Sequence, residues 1–172
     1  MSNFIIKHSI RFFILLFTQV LVLNNVFFLG YINPYIYILF IMLLPFDSRR
    51  WLLLILAFCL GISIDAFQNS MGIHAFSCVL IAYIRTPVLH FLSPQLKNKK
   101  QANLEFSLQE FGLQRALIYT SIIVFTHHFT LFSLEVFRPE LLSIFLRTIG
   151  SATISISLLI IIQYLLFKDA KR

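Results

Sequence analysis

Apolar positions along this chain come in long runs separated by short polar or charged clusters. A helix needs about 20 mainly apolar residues to cross the hydrocarbon layer of a bilayer. By that measure the runs predict spans at 12–29, 35–46, 51–67, 71–92, 116–137 and 148–167. The second run is bracketed by Pro34 and Pro45, and as a helix it would reach only about 18 Å. A polar connector, 93–112, separates the fourth span from the fifth. The connections 30–34, 68–70 and 138–140 are too short to hold an extramembrane domain. The expected fold is therefore all-α: a single membrane domain over 1–172, built as a six-transmembrane-helix bundle whose second helix is short.

Composition agrees. Of 172 residues, 59% are hydrophobic and 12% charged, with 20 Phe, against about a quarter charged in ordinary soluble domains. Two cysteines leave no room for a disulfide scaffold or a Cys-rich metal site. The net charge of +7 is distributed by topology. With the N-terminus inside, six spans put Lys7, Arg11, Arg49, Arg50, Arg85, Lys97, Lys99, Lys100, Arg115, Lys168, Lys171 and Arg172 on the cytoplasmic side. Only Arg138 and Arg147 fall outside, so 12 of the 14 basic residues obey the positive-inside rule. Both termini are expected in the cytoplasm. Basic residues explained in this way give no case for nucleic-acid binding. Lys7 and Arg11 ahead of an apolar run mimic a secretory signal, but no small-residue cleavage site follows and the segment reads as retained.

Asp65 is the one acidic residue well inside an apolar run, and such residues are functional candidates by default. It lies near the outer end of its span, so it reads first as a cap on the turn 68–70, then as a partner contact, then as a transport or catalytic carboxylate. Gly61, Gly72 and Ala75 have the spacing that lets helix backbones approach, and read as packing. His127 and His128 sit in the fifth span with Glu135 two turns on. Adjacent histidines point about 100° apart on a helix, which argues against both facing one ion; hydrogen bonding within the bundle is the first reading and a proton relay the alternative. Glu135 is placed to pair with Arg147 or Arg138. Ser151, Thr153, Ser155 and Ser157 form a small-residue seam, and Cys59 and Cys78 read as buried apolar residues. In the connector, Lys97, Lys99 and Lys100 precede Leu104, Leu108 and Phe111 at helical spacing, which suits a lipid-anchored linker or a docking segment. No nucleophile is paired with a base, and no metal site or cofactor motif is found.

Asn33-Pro34, Arg49-Arg50, Leu60-Gly61, Asp65, Gly72, Ala75 and Ala82-Tyr83 make up a pattern, G-x-x-x-D-x6-G-x-x-A across two helices. On it, the stretch 33–92 resembles the rod shape-determining protein MreD family, and His127-His128 through Leu134-Glu135 looks like a divergent branch of that family. The resemblance implies a non-enzymatic scaffold of the bacterial cell inner membrane, similar in fold to the substrate-binding component of energy-coupling-factor transporters. It implies an MreC-like bitopic membrane protein as partner, with indirect links to MreB, RodA and a class B penicillin-binding protein. Through these the family helps couple MreB filaments to peptidoglycan synthesis and maintain cell shape. Membrane lipid is a further expected partner, and self-association stays open. The alternative is a substrate-binding membrane subunit of an energy-coupling-factor-type transporter. Against it, the Ala-x-x-x-Ala-like docking face usual on the first helix of such subunits is missing, because the first Ala in the chain is Ala57.

Overall fold

The computed structural model describes residues 2–25, 32–46, 48–94, 105–106, 111–136 and 141–168. It is helical: α1 (Ser2–Phe17), α2 (Ile38–Leu43), α3 (Arg50–Gln68), α4 (Ile73–Leu92), α5 (Leu113–Glu135) and α6 (Leu141–Lys168). A wide π-type turn, Thr18–Val22, and a 3₁₀ turn, Leu23–Asn25, prolong α1. Among the described residues, five helices are long and apolar enough to cross a membrane. Their outer faces present Phe58, Phe76, Phe129, Phe145 and Ile161 outward, a band that would be untenable in water and is ordinary against lipid tails.

The second element departs from the expected spanning helix. It is six residues long, about 9 Å. Pro34 disfavours helical backbone in the residue before it, and Leu44 is extended (ψ 145°) ahead of Pro45. Yet this is the most deeply buried part of the chain: every residue from 35 to 44 lies in the core, packed by α1, α3 and α4.

Extended backbone among apolar helices must find its hydrogen bonds in the protein itself. The N–H of Asn33 donates to Ser151 Oγ (3.1 Å) and that of Tyr35 to Ser155 Oγ (2.9 Å). Gln19 serves two peptide groups: its Oε1 accepts from Ile36 N–H (2.9 Å) and its Nε2 donates to the Pro34 carbonyl (3.1 Å). The π-type turn of α1 contains Gln19, a common use of such bulges. At the other end, Arg85 reaches the carbonyls of Met42 (3.3 Å), Leu44 and Pro45 (3.5 Å). These are the carbonyls that a helix C-terminus leaves open, and the cation also suits the negative end of the helix. Arg85 is thus a fully buried structural residue, 1% exposed, rather than the loop charge its sequence position suggested.

Two substitutions test this support. Gln19→Leu strands the Ile36 N–H and the Pro34 carbonyl, and is expected to cost about 2 kcal/mol or more. Ser151→Ala removes a single acceptor and should cost about 1 kcal/mol. Both are read as a lowered Tm of the detergent-solubilised chain, with the larger drop for Gln19→Leu.

Candidate functional site

α3 and α4 are joined by a turn in which Asn69 (φ 55°), Met71 (φ 50°) and Gly72 (φ 89°) are left-handed. Asn69 closes α3 by donating its N–H to the Asp65 carbonyl. The Asp65 side chain spans the turn. Its Oδ1 accepts from Ser70 Oγ (2.6 Å) and His74 N–H (3.0 Å), and its Oδ2 from Ala75 N–H (2.8 Å). These amides are among the orphan donors of the α4 N-terminus, and a carboxylate there also meets the positive end of the helix. Asp65 is thus a cap supplied from the preceding helix.

Gly61 lies one turn before Asp65, against α4. A methyl group at Gly61 would collide with Ala75 Cα and come within 2.7 Å of Ala75 N and His74 O, so the crossing requires glycine. Gly72, expected to pack, instead faces open space and serves its positive φ. Cys78 is buried, whereas Cys59 is exposed, against the expectation of burial.

Beneath the turn lies a polar and aromatic cluster. Tyr37 Oη sits between His74 Nδ1 (2.7 Å) and His127 Nε2 (2.9 Å), and His74 Nε2 meets Gln68 Oε1 (2.8 Å). With the amide oxygen of Gln68 facing His74, the polarity of the chain follows. His74 donates from Nε2 and accepts at Nδ1 from the Tyr37 hydroxyl, which in turn accepts from His127 Nε2–H. His128 belongs to a second chain: it donates from Nδ1 to the Val124 carbonyl (2.9 Å), and its Nε2 accepts from Ser155 Oγ (3.2 Å). The Tyr35 ring packs among His74, His127 and His128, at centroid distances of 5.4, 5.8 and 5.1 Å. The two histidines therefore face different partners, and both chains fix the extended segment. Glu135 stands apart from them, paired with Arg147 (2.8 Å) at the α5–α6 end, where Arg147 also lies 4.1 Å from the Phe132 ring centroid. Among the described residues no three His, Cys, Asp or Glu side chains are grouped to hold a metal ion.

Two adjoining polar cavities open over this cluster. One, about 360 Å³, is lined by Asn33, Tyr35, Gln68, Ser70, His74 and Glu135 among others. The other, about 220 Å³, is bordered by Gln19, Asn24 and Pro34 and shares Asn33, Tyr35 and Gln68 with the first.

At the opposite end, Glu105 is held by Lys7 (2.7 Å) and Arg11 (2.6 Å). Burial pushes its carboxyl up, but the hydrogen bonds and charges of the two cations outweigh burial and hold it below the usual glutamate range. Next to it, Phe106 packs on Phe111 and Tyr119, with centroids at 5.0 and 4.4 Å. This part of the connector is docked on the bundle. Lys97, Lys99 and Lys100, with Leu104 and Leu108, lie outside the described residues.

Gln19, Tyr37 and Arg85 are missing from the residues singled out by sequence. A glutamine and an arginine within apolar helices were signals of inward-facing polar work. Tyr37 carried none, since tyrosine is ordinary in such a run.

Asp65→Ala leaves three donors unanswered and should lower stability by about 2 kcal/mol, with Asp65→Asn losing less because an acceptor oxygen remains. Gly61→Ala should lower Tm even though it adds a single methyl. The contribution of Glu105 has a defined pH sign. A depressed carboxyl stabilises above its unfolded-state value and loses that effect as pH falls through the folded one. The Tm difference between wild type and Glu105→Gln should be constant above about pH 5.5 and vanish in acid.

Comparison with family models, curated proteins and solved structures gives no match for this chain.

Proposed function

We propose that the chain is a non-enzymatic adaptor of the inner membrane, of MreD type, that binds an MreC-like bitopic protein and serves cell elongation through MreB and the peptidoglycan synthases. The observation that carries this reading is where the polar residues of the bundle are used. Asp65, Gln19, Arg85, Ser151, Ser155 and the Tyr37–His74–His127 chain each hold a backbone group or a neighbouring ring. Polar groups used in this way make a rigid platform, and a platform suits recognition of a partner helix better than turnover. Gly61, Asp65, Gly72 and Ala75 set its α3–α4 edge.

We read the segment 32–46 as the remaining crossing of a six-pass topology. Support comes from its two ends: one is bonded to Ser151 and Ser155 of α6, the other to Arg85, twelve residues into α4. The distribution of basic residues supports cytoplasmic termini. A second reading, a substrate-binding subunit resembling those of energy-coupling-factor transporters, is favoured by one observation, the pair of polar cavities over the Tyr–His cluster.

A mild-detergent pull-down of the tagged full chain from its native membrane separates the two. Recovery of an MreC-like protein with penicillin-binding partners is the expected result. Recovery of a membrane coupling subunit with paired ATPases, or a vitamin retained by the purified chain, would replace the adaptor with the transporter.

A further inference from the structure

A third cavity, about 350 Å³, opens between the inner ends of α3 and α4. We propose that this cleft binds the phosphate of an anionic phospholipid headgroup, with Arg50, Thr86 and His90 as its ligands.

The chemistry of the lining carries the proposal. Arg50 is the first residue of α3 and His90 stands in the last turn of α4, so a cation and an imidazole line one cleft, with Thr86 one helical turn before His90 on the same wall. Among the described residues the side chains of Arg50, Thr86 and His90 make no hydrogen bond or ion pair. That sets Arg50 apart from Lys7 and Arg11, which hold Glu105, and from Arg85, which holds backbone carbonyls. Among the described residues the cleft wall contains no Asp or Glu. A guanidinium matches phosphate oxygens two at a time, and its charge persists at every working pH. The start of α3 adds to this, because its N-cap residue Arg49 offers the first amides no side-chain bond and they lie at the same end of the bundle.

The setting selects a lipid over a dissolved phosphate. Above the polar mouth the wall is Leu53, Leu54 and Ala82, a surface for acyl chains. Trp51, next to Arg50 at the start of α3, is 56% exposed, and tryptophan is enriched at the headgroup level of a membrane. Arg49 and Arg50 lie on the side that the charge distribution assigns to the cytoplasm, where anionic headgroups attract basic clefts between helices. The proposal is independent of the adaptor reading, since it rests on this cleft alone.

The test uses the full chain purified in mild detergent, with Tm followed as phosphatidylglycerol, phosphatidylcholine or inorganic phosphate is added, and with retained lipid counted by native mass spectrometry. Phosphatidylglycerol should raise Tm most and remain bound. Arg50→Gln should weaken that response about ten-fold, the loss expected for one charge-assisted bond. Thr86→Val and His90→Gln should weaken it less, and Arg50→Lys should restore part of it. Arg50 is exposed, so its replacement leaves the fold intact. An unchanged response to phosphatidylglycerol in both Arg50→Gln and Thr86→Val would overturn the site. Equal stabilisation by phosphatidylcholine would overturn it too, because net headgroup charge would then be idle. Stabilisation by inorganic phosphate without any by phosphatidylglycerol would overturn the lipid as the occupant.

Discussion

The structure turns on a stretch of backbone that is not regular helix, buried from Pro34 to Pro45 among the helices. An unpaired amide or carbonyl in such surroundings costs about as much as several ordinary surface contacts return. The segment 32–46 therefore exists only because side chains from three other helices answer it: Gln19 from the prolonged α1, Ser151 and Ser155 from α6, and Arg85 from α4. Those bonds in turn dictate features that would otherwise look arbitrary. α1 widens into a π-type turn around Gln19, α6 has serines where a packing seam would accept alanine, and α4 buries an arginine.

A second constraint acts at the α3–α4 turn. Gly61 lets the helix backbones close on one another, and the Asp65 carboxylate then reaches the amides of α4. Neither device works alone. A side chain at Gly61 would move α4 out of reach of Asp65, and without the carboxylate the close approach would bury uncapped amides. His74, placed just after the turn, starts the Tyr37–His127 chain, so the clamp also positions the cluster that holds the extended segment. The result is a bundle whose polar groups fix its shape, which is why the proposed role is that of a partner platform.

Much of this was legible from residues alone. Five runs of apolar sequence became five long helices because length and hydropathy suffice for that inference. Asp65 read as a cap, and its bonds are those of a cap. Glu135 read as a partner for Arg147, and it sits at 2.8 Å. Other parts were hidden for physical reasons. Two prolines bracket 35–46 and mark it as a short helix, but no local pattern says that only Ile38–Leu43 will be helical or which distant side chains will meet the rest of its backbone. Ser151 and Ser155 share small-residue spacing with Thr153 and Ser157, which are exposed, so spacing alone does not distinguish the two hydroxyls that bond the buried backbone. Arg85, counted among loop charges, betrays itself only once Pro45 is known to lie beside it. Helix ends were the least readable: α1 begins at Ser2 and α6 at Leu141, each well before the runs at 12–29 and 148–167, because Lys7, Arg11 and Arg147 interrupt the apolar pattern without interrupting the helix.

The central claim is that the extended segment is locked by bonds from its neighbours, and backbone hydrogen exchange tests it most directly. Measured on the full chain in lipid nanodiscs, peptides covering 32–46 should exchange as slowly as those from the middle of α3 and α4, despite containing only six helical residues. Exchange of residues 33–37 at the rate of an open loop would contradict the account, because amides bonded to Ser151, Ser155 and Gln19 cannot be freely available to water.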